Sequence, residues 1–276
     1  MAGLRYSLRL KTDGAIRRVV REPIFELVSF CMAILDSAQG YLFDRLLGVS
    51  TREKVITEGS VLTGGGDGCP YSGSQWLPVR RAFKNLAPST SDTFVDLGSG
   101  KGRVLLIAAR LPFRRVLGVE IDDELSRYAR RNIKYARPRL LAKEVESITA
   151  SVLEWPIPDE TSVIFMFNPF IGRTFRIAIG QIFESYDRNP RTLHIVYRYP
   201  WEHDWLLSTG RVIVADVRSS LWPALPRWWK SGDVIVSYRV VGAAEGSRPD
   251  SSHCRTKRSR RGAQRWTGPN GQCFTM

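Results

Sequence analysis

The fold of this 276-residue chain is decided by the segment Phe94-Val95-Asp96-Leu97-Gly98-Ser99-Gly100-Lys101-Gly102-Arg103. A run of β-branched and aromatic residues at 93–97 predicts a short buried strand, and a G-x-G-x-G loop follows it directly. An apolar pattern of helical spacing begins at Gly102, so the loop leads into a helix whose first N–H groups have no intrahelical partner. Glycines at such a turn accept positive φ angles and let a ligand approach the backbone closely.

On either side of this segment, short β-branched runs that are typical of strands alternate with longer amphipathic runs that are typical of helices. The pattern predicts strands at 93–97, 115–121, 147–152, 162–167, 192–197, 211–217 and 233–240, and helices at 76–86, 102–110, 122–136 and 174–186. Strands that alternate with helices imply a parallel sheet with helices on both faces. The last two strands follow without a clear intervening helix, which predicts an antiparallel hairpin at one edge of the sheet.

Two carboxylates distinguish the ligands that such a loop could bind. Glu120 stands at the tip of the second strand, where a carboxylate accepts hydrogen bonds from both hydroxyls of a ribose. A dinucleotide site prefers G-x-G-x-x-G, which would place its third glycine at Arg103, whereas this chain has Gly102. Asp96 would repel a pyrophosphate and attract the cationic end of an amino-acid-like ligand. Both details favour S-adenosylmethionine, and a dinucleotide-dependent oxidoreductase is the disfavoured enzyme alternative.

The segment 93–133, with VDLGSGKGR and then FRRVLGVEID, resembles motif I and its sequel in class I (seven-stranded) S-adenosylmethionine-dependent methyltransferases, especially small bacterial ones. It is also similar to motif I of seven-strand protein-lysine methyltransferases. The resemblance covers residues 70–240 approximately. It implies an α/β, Rossmann-like sheet of order 3-2-1-4-5-7-6 with strand 7 antiparallel and helices on both faces.

The resemblance also implies a cofactor site. Its residues would be Tyr71, Ser74, Asp96, Gly98, Ser99, Gly100, Gly102, Glu120, Ile121, Ser151, Val152 and Asn168. In this reading the loop cradles the methionine part, Glu120 binds the ribose, and Ser151-Val152 lies beside the adenine, where the family often has an acid first. The segment 71–74 is similar to the loop that closes over the methionine end in related lysine methyltransferases; the alternative is an ordinary polar loop. We expect Lys101 and Arg103 to point into solvent.

The fourth strand ends in Asn168-Pro169-Phe170, which we predict to be the catalytic segment. Ligands of open α/β sheets bind outside the carboxyl ends of the strands, near the switch between strands 1 and 4. The segment resembles the [D/N]-P-P-[Y/F] motif of enzymes that methylate exocyclic or amide nitrogens, without the second proline. Phe170 would stack on a planar acceptor or cage an amine. The alternative is a plain Asn-Pro turn.

Composition limits the class of protein but not the partner. With 41 Lys and Arg against 27 Asp and Glu, the net charge is +14, and 43% of residues are hydrophobic, which excludes a wholly disordered chain. The residues at 242–276 contain seven basic and two acidic residues and no apolar pattern, so we predict a disordered basic tail. The four cysteines and three histidines are not spaced as zinc ligands, and we expect no metal.

We therefore expect an N-terminal helical extension at 1–70, a methyltransferase domain at 71–241 and the tail at 242–276. The apolar stretch Ile24–Leu35 is too short to span a bilayer. We expect it to pack on the domain in a cytoplasmic protein without stable membrane insertion; the alternative is a membrane-surface helix. The predicted activity is methyl transfer from S-adenosylmethionine to nitrogen. A protein acceptor is favoured over RNA or a small molecule, and a catalytically silent, methyltransferase-like binding protein is the alternative. Neither the acceptor nor the oligomeric state is determined by the sequence.

Overall fold

The protein is described by a computed structural model over residue 34, residues 37–52, 74–219 and 234–243, and the strands at 265–267 and 273–275. The strands are β1 (Thr93–Leu97), β2 (Arg115–Glu120), β3 (Glu144–Thr149), β4 (Thr161–Phe167), β5 (His194–Arg198), β6 (Val212–Ser219), β7 (Val234–Val240), β8 (Arg265–Thr267) and β9 (Cys273–Thr275). The helices are α1 (described over 37–47), α2 (Trp76–Asn85), α3 (Arg103–Ala109), α4 (Asp123–Ala136), α5 (Gly172–Arg188) and α6 (His203–Ser208), with a 3₁₀ turn at Arg137–Arg139.

Seven strands form one sheet of order β3-β2-β1-β4-β5-β7-β6. Strands β3, β2, β1, β4 and β5 are parallel to one another, whereas β7 runs antiparallel to both β5 and β6. The predicted sheet order and the edge hairpin are therefore confirmed. In this arrangement β1 and β4 are adjacent in the sheet but distant in sequence, so the segments that follow them meet at the topological switch point.

Side chains that alternate along the strands build a separate apolar core on each face of the sheet. One core unites Phe94 and Phe165 with apolar residues of α1, α2, α3 and α4. The other unites Val95 and Leu97 with residues of α5 and α6. Because β1 alternates between these cores, Asp96 projects toward the α2–α3 side at the carboxyl end of the central strand.

Helix α4 has the amphipathic face that its sequence predicts. Leu125, Ala129, Ile133 and Ala136 are all buried. The Asp122 side chain caps the helix by accepting a hydrogen bond from the Leu125 N–H at 3.0 Å. The capping residue follows Glu120 by two positions, and α4 begins directly after it, at Asp123.

Two elements differ from the prediction. Strand β3 lies three residues earlier than the predicted 147–152, because its bounds follow backbone pairing with β2, from Arg115↔Glu144 to Glu120↔Thr149, and not its own apolar pattern. A short helix, α6, precedes β6 where no clear helix was predicted; it buries a single leucine, Leu206, which is too little apolar pattern to detect. In the predicted disordered tail, β8 and β9 pair antiparallel, and the remaining residues lie outside the described part.

Residues 37–52 pack against the domain. Leu47 is 1% exposed within the same core as α2 and α3, and the ring of Phe43 stacks on that of Trp76. Of the stretch Ile24–Leu35, only Ile34 belongs to the described residues, so the predictions for that stretch lie outside them. Among the helices that the structure describes, none is long and apolar enough to cross a lipid bilayer.

Candidate active site

The glycine loop has the backbone conformation that its sequence predicts. Gly98, Gly100 and Gly102 have φ angles of 81°, 52° and 78°, which side chains other than glycine rarely adopt. The N–H groups of Gly98 and Ser99 both donate to the carbonyl of Val119 at 2.8 and 3.1 Å. These bonds fasten the loop to the end of β2 and hold it at the carboxyl edge of the sheet.

Close packing explains two of the glycines and one that the sequence analysis did not identify. A Cβ on Gly98 would lie 2.4 Å from the Cβ of Pro169, and one on Gly102 would lie 3.0 Å from the Cβ of Ala129. A Cβ on Gly118, in β2, would lie 2.7 Å from the Oγ of Ser99. The absence of a side chain at Gly118 therefore lets the loop pack directly against β2. In the sequence, a glycine within an apolar strand run is the signal that indicates such a close approach.

Glu120 supports the loop from the side. Its Oε2 accepts a hydrogen bond from the Gly100 N–H at 2.7 Å, and its Oε1 accepts one from the Asp122 N–H at 3.0 Å. The side chain is 8% exposed, and burial raises its pKa although these backbone hydrogen bonds oppose the shift. Each carboxylate oxygen accepts more than one hydrogen bond, so the predicted contact with a ribose remains compatible with this support.

Asp96 is a buried carboxylate with incomplete hydrogen bonding. It is 2% exposed, and its Oδ2 accepts no hydrogen bond from the part of the chain that the structure describes. Burial raises the pKa of Asp96 well above its usual range, and the nearby charge of Glu120 raises it further. Two buried acids beside one loop form a site that a cationic group stabilises and an anionic group destabilises.

The expectation that Lys101 and Arg103 point into solvent is wrong. Lys101 is fully buried, and its Nζ lies 4.6 Å from the centre of the Tyr128 ring. Arg103 is 9% exposed; its Nε donates to Thr51 Oγ1 at 2.8 Å and its Nη1 donates to the carbonyl of Ser74 at 3.0 Å. Every residue of α3 is buried, because helices cover it on its outer side, and so its first residue has no path to solvent.

Asn168 lies at the end of β4 in a strained conformation. Its φ angle is +41°, the residue is 6% exposed, and its Oδ1 accepts a hydrogen bond from the hydroxyl of Tyr197 at 2.7 Å. Strained, non-glycine residues persist where the surrounding structure holds them, often at functional sites. Tyr197 was predicted only as part of the fifth strand and not as a site residue; the alternation of side chains along that strand indicates its side of the sheet.

Phe170, predicted to stack on a planar acceptor or to cage an amine, is 6% exposed and belongs to the α5-side core. The aromatic group at this edge is instead Phe167, whose ring lies 4.3 Å from the Arg198 guanidinium and stacks on Tyr199 at 5.6 Å. Tyr199, at the end of the neighbouring strand, also has a positive φ, +51°.

Ser151 and Val152, which we predict to lie beside the adenine, follow the end of β3. The Ala150 N–H donates to the carbonyl of Glu120 at 3.0 Å, so the turn containing Ser151 and Val152 begins beside that acid. The Ser151 carbonyl accepts hydrogen bonds from the N–H groups of Glu154 and Trp155, and its Oγ accepts one from the Leu153 N–H. Ile121 is 58% exposed, which leaves an apolar side chain next to Glu120.

Ser74 is described and buried, and it contributes its carbonyl to Arg103; Tyr71 lies outside the described residues. In the described residues no three His, Cys, Asp or Glu side chains cluster as metal ligands do.

The contacts described above bring the glycine loop, Asp96, Glu120 and the Asn168-Pro169 turn together at the carboxyl edge of the sheet.

Comparison with known proteins gives a family match in this same region. The family described as "Histone methylation protein DOT1" matches residues 77–150. A histone-lysine N-methyltransferase of Drosophila melanogaster, described as H3 lysine-79 specific, is 39% identical over 62 residues. A protein-lysine N-methyltransferase of Saccharolobus islandicus is 38% identical over 66 residues. These alignments cover 22% and 24% of this chain but only 3% and 41% of the two relatives.

Solved structures with similar folds include an RNA methyltransferase from Salinibacter ruber in complex with S-adenosyl-L-homocysteine. It is 21% identical and covers 61% of this chain and 94% of its own, with a TM-score of 0.43. A SAM-dependent O-methyltransferase from Thermotoga maritima is 14% identical and covers 62% of this chain and 68% of its own, with a TM-score of 0.49. The strand order observed in this chain, together with the family match at 77–150, confirms the resemblance to class I methyltransferases.

Proposed function

We propose that this protein is an S-adenosylmethionine-dependent methyltransferase that methylates a nitrogen atom, with the side-chain amine of a protein lysine as the favoured acceptor. The observation that supports the activity best is the glycine loop. Its three positive φ angles, its support by Glu120 and its place at the end of the central strand form a cradle for a nucleoside-bearing ligand.

The charges around the loop fit this cofactor better than a dinucleotide. S-adenosylmethionine, when bound, supplies an activated methyl group on a cationic sulfonium, and it carries no phosphate. Asp96 and Glu120 are both buried beside the loop, so they favour a cationic ligand and disfavour a pyrophosphate. Arg103 is directed to Thr51 and Ser74, and it is therefore not available to neutralise a phosphate.

Asn168 and Pro169 are the candidates for holding the acceptor. Pro169 is packed against Gly98, so the turn that follows β4 adjoins the cofactor loop. The Tyr197 hydroxyl fixes the orientation of the Asn168 amide. In an in-line methyl transfer, a neutral amine has to be aligned with the methyl group and kept from water, and orientation supplies much of the acceleration. A fixed polar side chain at this point would provide such alignment.

The preference for a protein lysine derives from the relatives. Both curated relatives are named as lysine methyltransferases, and their alignments with this chain are local. A lysine side chain is long and narrow enough to reach a site at the edge of the sheet. A nucleobase acceptor would place a planar ring there, and the ring of Phe170, which was expected to stack on a planar acceptor, belongs to the α5-side core.

Two measurements test the proposal. The first is calorimetric titration of the purified chain with S-adenosylmethionine and, separately, with NAD(H); we expect binding of the former alone. The second is incubation of cell lysate with methyl-labelled cofactor, followed by separation of protein, RNA and small molecules and by mass spectrometry of protein hydrolysates. We expect label in methyl-lysine. Cofactor binding without any transfer would indicate a silent binding protein, and absence of cofactor binding would refute the activity itself.

A further inference from the structure

We propose that Thr51 is a positioning residue of the cofactor site, although it lies 52 residues upstream of Arg103 and outside the predicted methyltransferase domain. The segment that contains it, residues 44–51, is bonded to the glycine loop at two points, through Arg103 and through Asn132. This inference rests on the proposed function, because the ligand whose affinity reports on it is S-adenosylmethionine.

The first connection passes through the Thr51 hydroxyl. Thr51 Oγ1 accepts a hydrogen bond from Arg103 Nε at 2.8 Å and donates one to Asp44 Oδ1 at 2.6 Å. The other carboxylate oxygen of Asp44 accepts from the Thr51 N–H at 2.8 Å. One hydroxyl therefore links a buried cation to a buried carboxylate, and both charges are held by hydrogen bonds to charged groups, which are stronger than neutral ones.

Arg103 connects the Thr51 hydroxyl to the glycine loop. Arg103 directly follows Gly102, whose φ of 78° makes it the left-handed residue at the start of α3. The Arg103 side chain also donates to the carbonyl of Ser74 at 3.0 Å. Residues 51 and 74 are thus fastened to the same guanidinium, and any movement of α3 or of its preceding glycines would break one or both of these bonds.

The second connection passes through Asn132 of α4. Its Nδ2 donates to the carbonyl of Ser50 at 3.1 Å and to the carbonyl of Lys101 at 3.0 Å, and its Oδ1 accepts from the Ser50 N–H at 3.1 Å. Asn132 is 3% exposed, so these bonds are shielded from water. Because Lys101 lies between Gly100 and Gly102, this amide fixes the middle of the loop to the upstream segment.

These bonds have a consequence for affinity. A loop with three left-handed glycines has many alternative conformations, and ordering it on binding costs free energy that a prearranged loop avoids. Thr51 is fully buried, and its hydroxyl bonds to Asp44 and Arg103, so it is held by groups of the protein itself. A change in cofactor affinity on removing that hydroxyl would therefore act through Arg103 and the loop.

The test compares two substitutions of Thr51 in the full chain. Thr51→Val keeps the volume and removes the hydroxyl, whereas Thr51→Ser keeps the hydroxyl and removes a methyl group. We expect Thr51→Val to weaken S-adenosylmethionine binding about ten-fold, as for loss of a hydrogen bond to a charged group, and Thr51→Ser to bind within about two-fold of the wild type. Affinity is measured by calorimetry well below the melting temperature, with unfolding of the ligand-free variants followed by circular dichroism.

Thr93→Val is the matched control. Thr93 is also fully buried and its Oγ1 also accepts from an arginine, Arg114, at 3.4 Å, but it lies at the opposite end of β1 from the loop. We expect this variant to lose stability without losing affinity. Equal weakening by both valine variants, or a Thr51→Val affinity within two-fold of the wild type, would overturn the proposal.

Arg103→Lys provides a second route if Thr51→Val does not fold. It keeps the charge but lacks the planar fork that reaches Thr51 and Ser74 together, so we expect a loss of about ten-fold in affinity. Unchanged affinity in this variant would also overturn the proposal. If the wild-type chain binds no S-adenosylmethionine, the proposed function fails; if the wild type binds and these variants bind equally well, the positioning role alone fails.

Discussion

Gly98 and Pro169 are packed so closely that a Cβ on Gly98 would lie 2.4 Å from the Cβ of Pro169. Gly98 follows β1 and Pro169 follows β4, and these strands are neighbours in the sheet. The cofactor loop and the turn predicted to hold the acceptor are therefore in contact, at the point where the strand order reverses. The position of the loop and the position of the turn therefore depend on each other.

Gly98→Ala should destabilise the fold and abolish cofactor binding. The added methyl group collides with Pro169, and the φ angle of 81° is unfavourable for alanine, so we expect a loss of about 2–4 kcal/mol in the free energy of unfolding. Denaturant unfolding and calorimetry measure the two effects. Gly180→Ala is the control: no heavy atom lies within 4 Å of an added Cβ there, and alanine in helix α5 should be neutral or stabilising. Normal cofactor affinity in Gly98→Ala would contradict the packing argument.

Asp96→Asn should stabilise the ligand-free protein while removing cofactor affinity. The amide keeps the shape of the side chain and removes a charge that is destabilised chiefly by burial and further by the charge of Glu120. We expect the melting temperature to rise by about 2–4 °C, as for about 1 kcal/mol in a domain of this size. S-adenosylmethionine binding should weaken at least about 100-fold, because the buried site loses its charge. A variant that is both less stable and fully competent in binding would show that Asp96 has a structural role only.

Cofactor affinity should depend on pH through Asp96. Burial, more than any other cause, raises the pKa of Asp96 in the folded, ligand-free protein. At pH values between the ordinary carboxyl pKa and this raised pKa, the folded protein therefore binds more protons than the unfolded chain. The stability of the ligand-free protein should fall over that interval. A cationic ligand favours the ionised carboxylate, so its affinity should rise over the same interval with release of a proton.

Calorimetry in buffers of different ionisation enthalpy, at a series of pH values upward from the ordinary carboxyl pKa, measures this proton release. Glu120, whose pKa is also raised by burial, contributes with the same sign. The Asp96→Asn variant removes the larger part of the effect. Affinity that is independent of pH in the wild type would mean that no cationic group of the ligand lies beside these acids.

Tyr197→Phe should reduce methyl transfer with little effect on cofactor binding. The substitution removes the hydroxyl that donates to Asn168 Oδ1 at 2.7 Å, and the amide loses its fixed orientation. We expect kcat to fall about ten-fold, and about 100-fold or more in Asn168→Ala, where the polar group itself is absent. Steady-state kinetics with labelled cofactor separates kcat from the KM for S-adenosylmethionine.

Tyr135→Phe controls for the loss of a tyrosine hydroxyl, since Tyr135 is 51% exposed on α4 and distant in the fold from the end of β4. It should leave both constants unchanged. If Asn168→Ala retains full transfer activity, the turn after β4 does not hold the acceptor.

Local features of the sequence were sufficient for the central part of the fold. The run of buried residues at 93–97, the glycines that follow and the apolar face of α4 each depend on neighbouring residues alone, and all lie as predicted. The edge hairpin was also predictable, because strands without a crossover helix pair antiparallel. Strand β3 was misplaced since its bounds depend on backbone pairing with the adjacent strand β2, which its own pattern does not contain.

The polar contacts of the site were decided by the tertiary structure. Arg103 was expected in solvent and is buried, because its partners Thr51 and Ser74 lie 52 and 29 residues upstream. Phe170 was expected at the acceptor and belongs to the α5-side core, whose members come from strands and helices far apart in the sequence. A sequence determines which backbone conformations and which apolar faces are available over a few residues. Which buried polar groups then find one another depends on how distant segments pack, since each such group needs a partner and any segment brought near by the fold supplies one.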